Sequence, residues 1–525
     1  MKNSLSILLT FFLFFNFANS PYAKGSVKNS ESIRLFDVEI SNNVSEEIYK
    51  VSKGSVLKTR GSVLEQILNS SLDYFEMEVP ISSNEILIVE LNKGNIYSDN
   101  FKVVTSDGQV QYNRNGLFYS GSVKGRENSL VSFSFFDNYV MGIVSVDEGN
   151  YTVSKIDQSI NEYIVFNDLD MTIINNFKCN VPDDGTIITP EDVEEIPVTD
   201  NTTQRKVNLY FECAQDLYIE HGNNITALQN FVTSTFNSVK TMYQNESIPL
   251  QISEIFIWTT PDPYIPYTGT LPVIQKFGQL RQDSFNGDLA HLLIKRDVGG
   301  GFAWLDVLCD PYYPPQQAGR YGLSSGLHHK TTPYPTWNWN LHVITHELGH
   351  NFGSPHTHAC TWPGGPIDTC WAPEGLCYNG PTYARVGTIM SYCYLPQGGS
   401  INPALGFGTL PGNLIRNRYN SAPCLTGSAI QQISNTAPDK FNLYQNFPNP
   451  FNPSTNIKFD ITDRGIVKLS IFDISGRIVA LPVSEELSRG TYEYMFEASS
   501  KPSGIYFYKP ETGGNAITKK MLLIK

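Results

Sequence analysis

The eleven residues His346-Glu347-Leu348-Gly349-His350-Asn351-Phe352-Gly353-Ser354-Pro355-His356 constrain this chain more than any other stretch, because they fill every position of the pattern HExxHxxGxxH. Two histidines four apart on a helix stand one above the other on the same face, so His346 and His350 can offer ring nitrogens to one metal ion. Glu347 then lies beside the metal without binding it. Gly353 can take the left-handed conformation that ends a helix, which lets the chain turn back so that His356 supplies a third nitrogen. Three protein ligands leave a fourth tetrahedral position to water, the arrangement of a catalytic zinc site. Zinc lowers the pKa of that water to about 7, and an adjacent carboxylate can take its proton as it attacks a carbonyl.

A bare HExxH arises by chance in many helices. Here it is extended by the glycine and third histidine and followed by Gly387-Thr388-Ile389-Met390-Ser391-Tyr392. With these residues the chain resembles the metzincin clan of zinc proteases, in which a methionine turn floors the three histidines. Met390 matches that methionine. Within the clan the resemblance is to the reprolysin or adamalysin-like branch: Arg205 to Glu212 reads as a first strand, and Asp288 to Ile294 followed by Gly300-Gly301-Phe302-Ala303-Trp304 is similar to that branch's edge strand, with which an extended peptide pairs. Two positions depart from it. Thr357 follows His356 where reprolysins carry aspartate, and Tyr392 stands two after the methionine, as in astacins and serralysins, where the hydroxyl steadies the tetrahedral intermediate. Tyr392 is accordingly expected to be either a catalytic donor or a tyrosine packed in the turn. His342 and His358 are expected behind the three ligands or at the surface, the site already having its three nitrogens.

A chain of 525 residues is too long for one core. Met1-Lys2 and the apolar run Ile7 to Phe15 read as a signal peptide, residues 1–23, too short to anchor in a bilayer. No later stretch is apolar enough to cross a membrane. A net charge of −13 with scattered acids argues against nucleic acid and anionic membrane surfaces as partners.

Residues 24–203 are β-rich by alternation, as in Leu117 to Val123 and Val131 to Phe135, and hold no ligand cluster. Phe118 to Gly125, Ser129 to Ser134 and Gly142 to Val144 resemble the reprolysin propeptide, and Pro182 to Thr203 reads as an activation linker. At its head, Phe177-Lys178-Cys179-Asn180-Val181-Pro182-Asp183 is similar to the cysteine switch of matrix metalloprotease propeptides, although Lys178 stands where arginine is usual and Asn180 where glycine is usual. A thiolate there would occupy zinc's open position until the propeptide is cut away.

All eight cysteines lie between Cys179 and Cys424, and in an exported chain most should pair. Cys370 and Cys377 bracket a short loop and are expected to bond. Cys360 with Cys393 would tie the third histidine's loop to the methionine turn. Cys309 with Cys424 resembles the reprolysin bridge to the end of the catalytic domain. Cys179 is then either the switch, leaving Cys213 a buried thiol, or the partner of Cys213.

After a polar linker, residues 427–441, short alternating strands with glycine turns follow the opening Asn446-Phe447-Pro448-Asn449-Pro450-Phe451-Asn452-Pro453. Regular short strands indicate a small β-sandwich. This tail resembles the C-terminal sorting domain of the type IX secretion system of Bacteroidota, which directs passage across the outer membrane.

The expected architecture is multidomain: signal peptide 1–23, β-rich prodomain 24–203, α/β metzincin domain 204–426 with a mixed sheet and an active-site helix, linker 427–441, and an Ig-like β-sandwich 442–525. The resemblances imply a zymogen of a zinc endopeptidase acting on proteins or peptides. It would be exported through the type IX machinery of a Gram-negative bacterium and either released or held at the outer surface. Zinc would sit on His346, His350 and His356, with Glu347 as general base. Family analogy adds calcium, with Asp288 the nearest ligand. The competing classes are a surface adhesin with a structural zinc, against which an intact Glu347 argues, and a zinc amidase of narrow specificity.

Overall fold

The computed structural model describes residues 32–38, 51–156, 161–172, 179, 181, 186–195, 206–327, 337–375, 377–378, 380–383, 385–396, 399–422, 424–425, 431–434, 438–498 and 501–524. The expected signal segment, most of the expected activation linker, and Lys178, Asn180 and Pro182 lie outside them.

The N-terminal part is a ten-stranded sheet that runs mostly as an antiparallel meander. Its edges are taken by one short segment. Ile33–Arg34 pairs parallel with Tyr74–Pro80 at one end of the strand order, and Phe36–Val38 pairs antiparallel with Ser55–Thr59 at the other. One segment thus bridges the two ends of the strand order, covering two residues of Tyr74–Pro80 and three of Ser55–Thr59. Phe75, Met77, Val89, Tyr119, Phe133 and Phe135 fill its interior.

The strand Leu130–Phe136 is buried along its whole length, including Ser132 and Ser134 on the face away from that interior. Those serines are covered by the helix Ile225–Asn245, whose N-terminus is capped by Asn224 accepting from the Ala227 amide at 3.0 Å. Asn237 of this helix donates to the carbonyls of Tyr119 (3.2 Å) and Phe133 (3.0 Å) and to the Ser132 hydroxyl (3.0 Å). A buried polar face is stable only when its hydrogen bonds are made, and here they are made across the boundary expected at residues 203 and 204.

The second sheet crosses that boundary as well. Its order is Gly301–Ala303, Tyr321–Ser324, Leu289–Leu293, Val207–Cys213, Leu250–Ile257, Tyr97–Thr105, Val110–Gln111. The inner pairings are parallel and the two outermost antiparallel. Tyr97–Thr105 therefore extends a sheet built otherwise from residues beyond 206, and Lys102 adds an ion pair to Glu254 at 3.2 Å. The expectation that Asp288 to Ile294 forms part of the substrate edge is corrected: Leu289–Leu293 is an interior strand, because the hairpin of Gly301–Ala303 with Tyr321–Ser324 adds outside it.

Three disulfides are formed: Cys309–Cys424, Cys360–Cys377 and Cys370–Cys393. The expected pairs Cys370–Cys377 and Cys360–Cys393 are thus exchanged. Backbone hydrogen bonds from Cys360 N to Glu374 O (2.8 Å) and from Glu374 N to His358 O (3.1 Å) bring Cys377 beside Cys360. The bond from Thr357 N to Met390 O (3.0 Å), with Ile367 N donating to Thr357 O (2.8 Å), brings Cys370 to Cys393. Cys179 and Cys213 are both buried and unbonded, so the alternative bridge between them is not formed.

Beyond the linker, a four-stranded and a five-stranded antiparallel sheet share a core of Leu443, Phe459, Leu469, Tyr494, Tyr508 and Met521. The Tyr508 hydroxyl donates to Tyr444 O (2.9 Å) and accepts from Asn446 N (2.8 Å), fixing the proline-rich opening to this core. No helix of the described residues is long and apolar enough to cross a membrane.

Replacing Asn237 by alanine removes the amide that satisfies the buried carbonyls of the N-terminal sheet. It is expected to cost about 1–3 kcal/mol, read as a lower thermal midpoint of the full-length chain. An unchanged midpoint would show that this contact does not hold the two sheets together.

Candidate metal centre

The helix Trp337–Asn351 carries His346, Glu347 and His350, all buried. It ends as the glycine requires: Gly353 has φ +97°, its amide donates to His350 O at 2.8 Å, and Ser354 N donates to Gly349 O at 3.0 Å. A side chain at 353 would be strained in that conformation. The reversal brings His356 back to the helix face.

The three rings converge. His350 Nε2 lies 3.2 Å from His346 Nε2 and 3.2 Å from His356 Nε2. Each Nδ1 faces outward onto an oxygen: His346 onto Ile389 O (2.9 Å), His350 onto Ser354 O (2.7 Å) and His356 onto the Glu374 carboxylate (2.8 Å). With Nδ1 carrying the proton in each ring, three Nε2 lone pairs point at one centre, the donor set that zinc takes. Burial lowers His346 and His350 well below the ordinary imidazole value, and the neighbouring imidazoles push the same way, so both rings are held neutral as ligands must be. These residues fit a zinc ion.

Met390 underlies the helix at Gly349. A Cβ on Gly349 would stand 2.5 Å from Met390 Sδ and 2.9 Å from the Phe407 ring, so the close approach of helix and methionine turn depends on glycine there. Gly301, on the outermost strand, makes room for Glu347 in the same way, because a Cβ would overlap its carboxylate. Glu347 Oε1 is buried without a hydrogen-bond partner among the described residues, and burial raises its carboxyl well above the ordinary value.

Cys179 reaches this centre from the N-terminal part. Its Sγ lies 3.4 Å from His350 Nε2 and 3.5 Å from Glu347 Oε2, and its donor atom groups with the three imidazoles as a fourth metal-ligand position. Burial pushes the thiol up, with the Glu347 charge adding to it. The Tyr392 hydroxyl donates to Cys179 O at 2.8 Å and its ring lies 4.8 Å from that of His356. The chain after Cys179 is strapped down. Ile188 N donates to Thr361 O (3.0 Å), Asn413 Nδ2 to Val193 O (2.8 Å), and Asn417 Nδ2 to both Asp192 O and Glu194 O (2.9 Å each). Between strap and centre lies a cavity of about 180 Å³ bordered by Val181, Ile188, His350, His356 and Arg418.

Other expected positions fall differently. His342 is half-buried beside His346 and Tyr394, and desolvation of its ring lowers it to about 4. His358 stacks on His356 at 5.1 Å and 9°. Asp288 accepts from Asn208 N (2.8 Å) and Nδ2 (3.1 Å) and belongs to none of the converging donor groups among the described residues, so nothing here points to calcium. The Thr357 departure finds a physical answer: its hydroxyl donates to the Asp368 carboxylate, so an acid from a neighbouring loop stands beside the position. Glu374 and Asp368 were missed from sequence, although both lie in the cysteine-rich loop that follows His356.

A helix presenting His346, Glu347 and His350, a returning His356 and a methionine floor define a metzincin centre. The family comparison agrees: residues 203–399 match Metallo-peptidase family M12 and residues 445–525 the secretion system C-terminal sorting domain. The chain thus carries a reprolysin-like M12 metallopeptidase domain and a sorting domain. It is 22% identical over 324 residues to human disintegrin and metalloproteinase domain-containing protein 10, covering 50% of this chain and 42% of that protein. It is 25% identical over 164 residues to the snake venom metalloproteinase trimerelysin-2 of Protobothrops flavoviridis, covering 29% and 74%. The chain spans less than half the length of the human relative. A structure of inactive OgpA from Akkermansia muciniphila with an O-glycopeptide aligns over 64% of this chain and 97% of that one at 10% identity. Its TM-score of 0.22 is too low to bear on the fold.

Gly349→Ala should lower the thermal midpoint of the metal-free chain by the equivalent of about 1–3 kcal/mol of overpacking. Alanine at an unconstrained helix position would instead gain about 1 kcal/mol. A stabilised variant would show that Met390 does not press on the helix.

Proposed function

We propose that the chain is a secreted zinc-dependent endopeptidase made as a zymogen, with zinc held by His346, His350 and His356 and the open position closed by the Cys179 thiolate. The observation that carries this reading is the convergence of three Nε2 atoms and one sulfur on a single buried point beside Glu347.

Zinc, when bound, supplies Lewis acidity towards a carbonyl oxygen and lowers the pKa of water towards 7. The rest is done by the chain. Glu347, next in sequence to the ligand His346 and beside the centre, accepts the proton of the attacking water and returns it to the leaving amine. The outermost strand Gly301–Ala303 offers its outer edge to an extended peptide, and Gly301 lets that strand lie close against Glu347. Tyr392 is held by the Cys179 carbonyl in the latent chain; once Cys179 leaves, its hydroxyl is free to donate to the developing oxyanion.

The geometry supports latency. Cys179 sits where water must bind, and the strap 186–195 is tied to the helix Thr409–Ser421 by three asparagine hydrogen bonds and an Arg418–Asp192 ion pair at 3.5 Å. A cut between residues 196 and 205 would free the metallopeptidase domain. The sorting domain supports export by the type IX route, with the protease released or held at the outer surface. Substrates on this reading are proteins or peptides.

The test compares peptide hydrolysis by full-length chain, uncut and cut in the linker, with zinc content measured throughout. Cut wild type should hydrolyse peptides, and Glu347→Ala should lose hydrolysis while retaining zinc. Uncut Cys179→Ala should exceed uncut wild type on the order of tenfold or more, equivalent to about 1.4 kcal/mol of released inhibition. A folded, zinc-loaded and cut wild type without peptidase activity would overturn the reading.

A further inference from the structure

The three rings of the centre are not held alike. His346 and His350 stand on a helix and rest their Nδ1 atoms on backbone carbonyls. His356 lies beyond the helix end, past Gly353, with no helical frame of its own. Its Nδ1 is met by a carboxylate, Glu374 Oε1 at 2.8 Å, and its carbonyl accepts from Trp362 Nε1 at 2.7 Å. Glu374 is brought there from eighteen residues downstream by a closed loop. Cys360 N donates to Glu374 O, Glu374 N donates to His358 O, and the Cys360–Cys377 disulfide shuts the loop one turn away. Gly375, at φ +99°, lets the backbone pass Cys360: a Cβ would lie 2.9 Å from Cys360 Cβ.

We propose that Glu374 is a positioning residue for the metal centre, orienting His356 and enriching its electron density towards the metal, and that the Cys360–Cys377 disulfide is the device that delivers it. A carboxylate behind a ligating imidazole fixes the tautomer with Nε2 free and raises the ligand's basicity, and its loss typically weakens metal affinity 10- to 100-fold. The ring of His358 stacks on His356 and brings its Nε2 to 3.5 Å from the same Glu374 oxygen. Placing this carboxylate on a covalently closed loop makes the strength of the third ligand depend on an oxidised disulfide, which an exported protein keeps and a reducing compartment would remove.

The inference rests on the zinc-site reading, and its test uses binding rather than turnover. Zinc dissociation constants would be measured for the full-length chain by competition with a chromogenic chelator, with thermal midpoints of the metal-free forms taken alongside. Glu374→Ala should weaken zinc 10- to 100-fold with the metal-free midpoint little changed. Glu374→Gln, which keeps an acceptor but no charge, should recover part of that loss. Cys360→Ala with Cys377→Ala should weaken zinc similarly, and adding Glu374→Ala to that pair should weaken it little further. Affinities of Glu374→Ala and Glu374→Gln equal to wild type would overturn the positioning role. Additive losses in the triple variant would overturn the link to the disulfide. A wild type that binds no zinc would instead sink the zinc-site reading itself.

Discussion

Three buried imidazoles directed at one point, with His350 Nε2 3.2 Å from the Nε2 of each of the other two, are an arrangement that a metal-free protein has no reason to build. Their lone pairs repel, and burial disfavours the protonated forms of His346 and His350 that would relieve it. A cation at the centre converts that cost into ligation, and the rest of the architecture follows from holding the rings in place. The helix supplies two, the left-handed Gly353 turns the chain for the third, Met390 presses on Gly349 from below, and the Glu374 loop braces His356 from outside.

The N-terminal part is joined to this centre by more than the Cys179 contact. Tyr97–Thr105 lengthens the central sheet, and the polar face of the helix Ile225–Asn245 is hydrogen-bonded into the N-terminal sheet. The buried face of that helix carries Ser234, Asn237, Ser238 and Thr241, side chains that water can satisfy as well as protein can. Beside these side chains, Phe118, Leu130, Phe136 and Met141 of the N-terminal part share one apolar core with Phe231, Val232 and Val239, so the interface is apolar as well as polar. On the proposed reading, latency is a contest between this interface with its strap and the substrate's edge-strand pairing, decided by a cut in the linker.

What could be read from the sequence were the parts written in local spacing. The histidine positions follow from 3.6 residues per turn, the glycine from its conformation, and the C-terminal strands from alternation and turns; a strand read over Asn456 to Asp460 lies within Ser454–Ile461, and one read over Val467 to Asp473 overruns Gly465–Phe472 by one residue. The rest depends on residues far apart in the chain. The disulfide partners were exchanged because backbone pairing of Cys360 with Glu374 outweighs the shorter spacing of Cys370 and Cys377. The edge is expected over Asp288 to Ile294 and Gly300 to Trp304 together, and only Gly301–Ala303 is outermost, because nothing local shows that this strand adds outside Leu289–Leu293 through Tyr321–Ser324. Glu374 and Gly301 take their meaning from His356 and Glu347, which only the tertiary fold brings to them.

The central claim is that Cys179 completes the metal centre of the latent chain. The direct test is zinc-edge X-ray absorption on the uncut, zinc-loaded full-length chain. The account predicts three nitrogen neighbours at about 2.0–2.1 Å and one sulfur at about 2.3 Å, the sulfur disappearing in Cys179→Ala. A first coordination sphere of nitrogen and oxygen only, in wild type as in the variant, would contradict it.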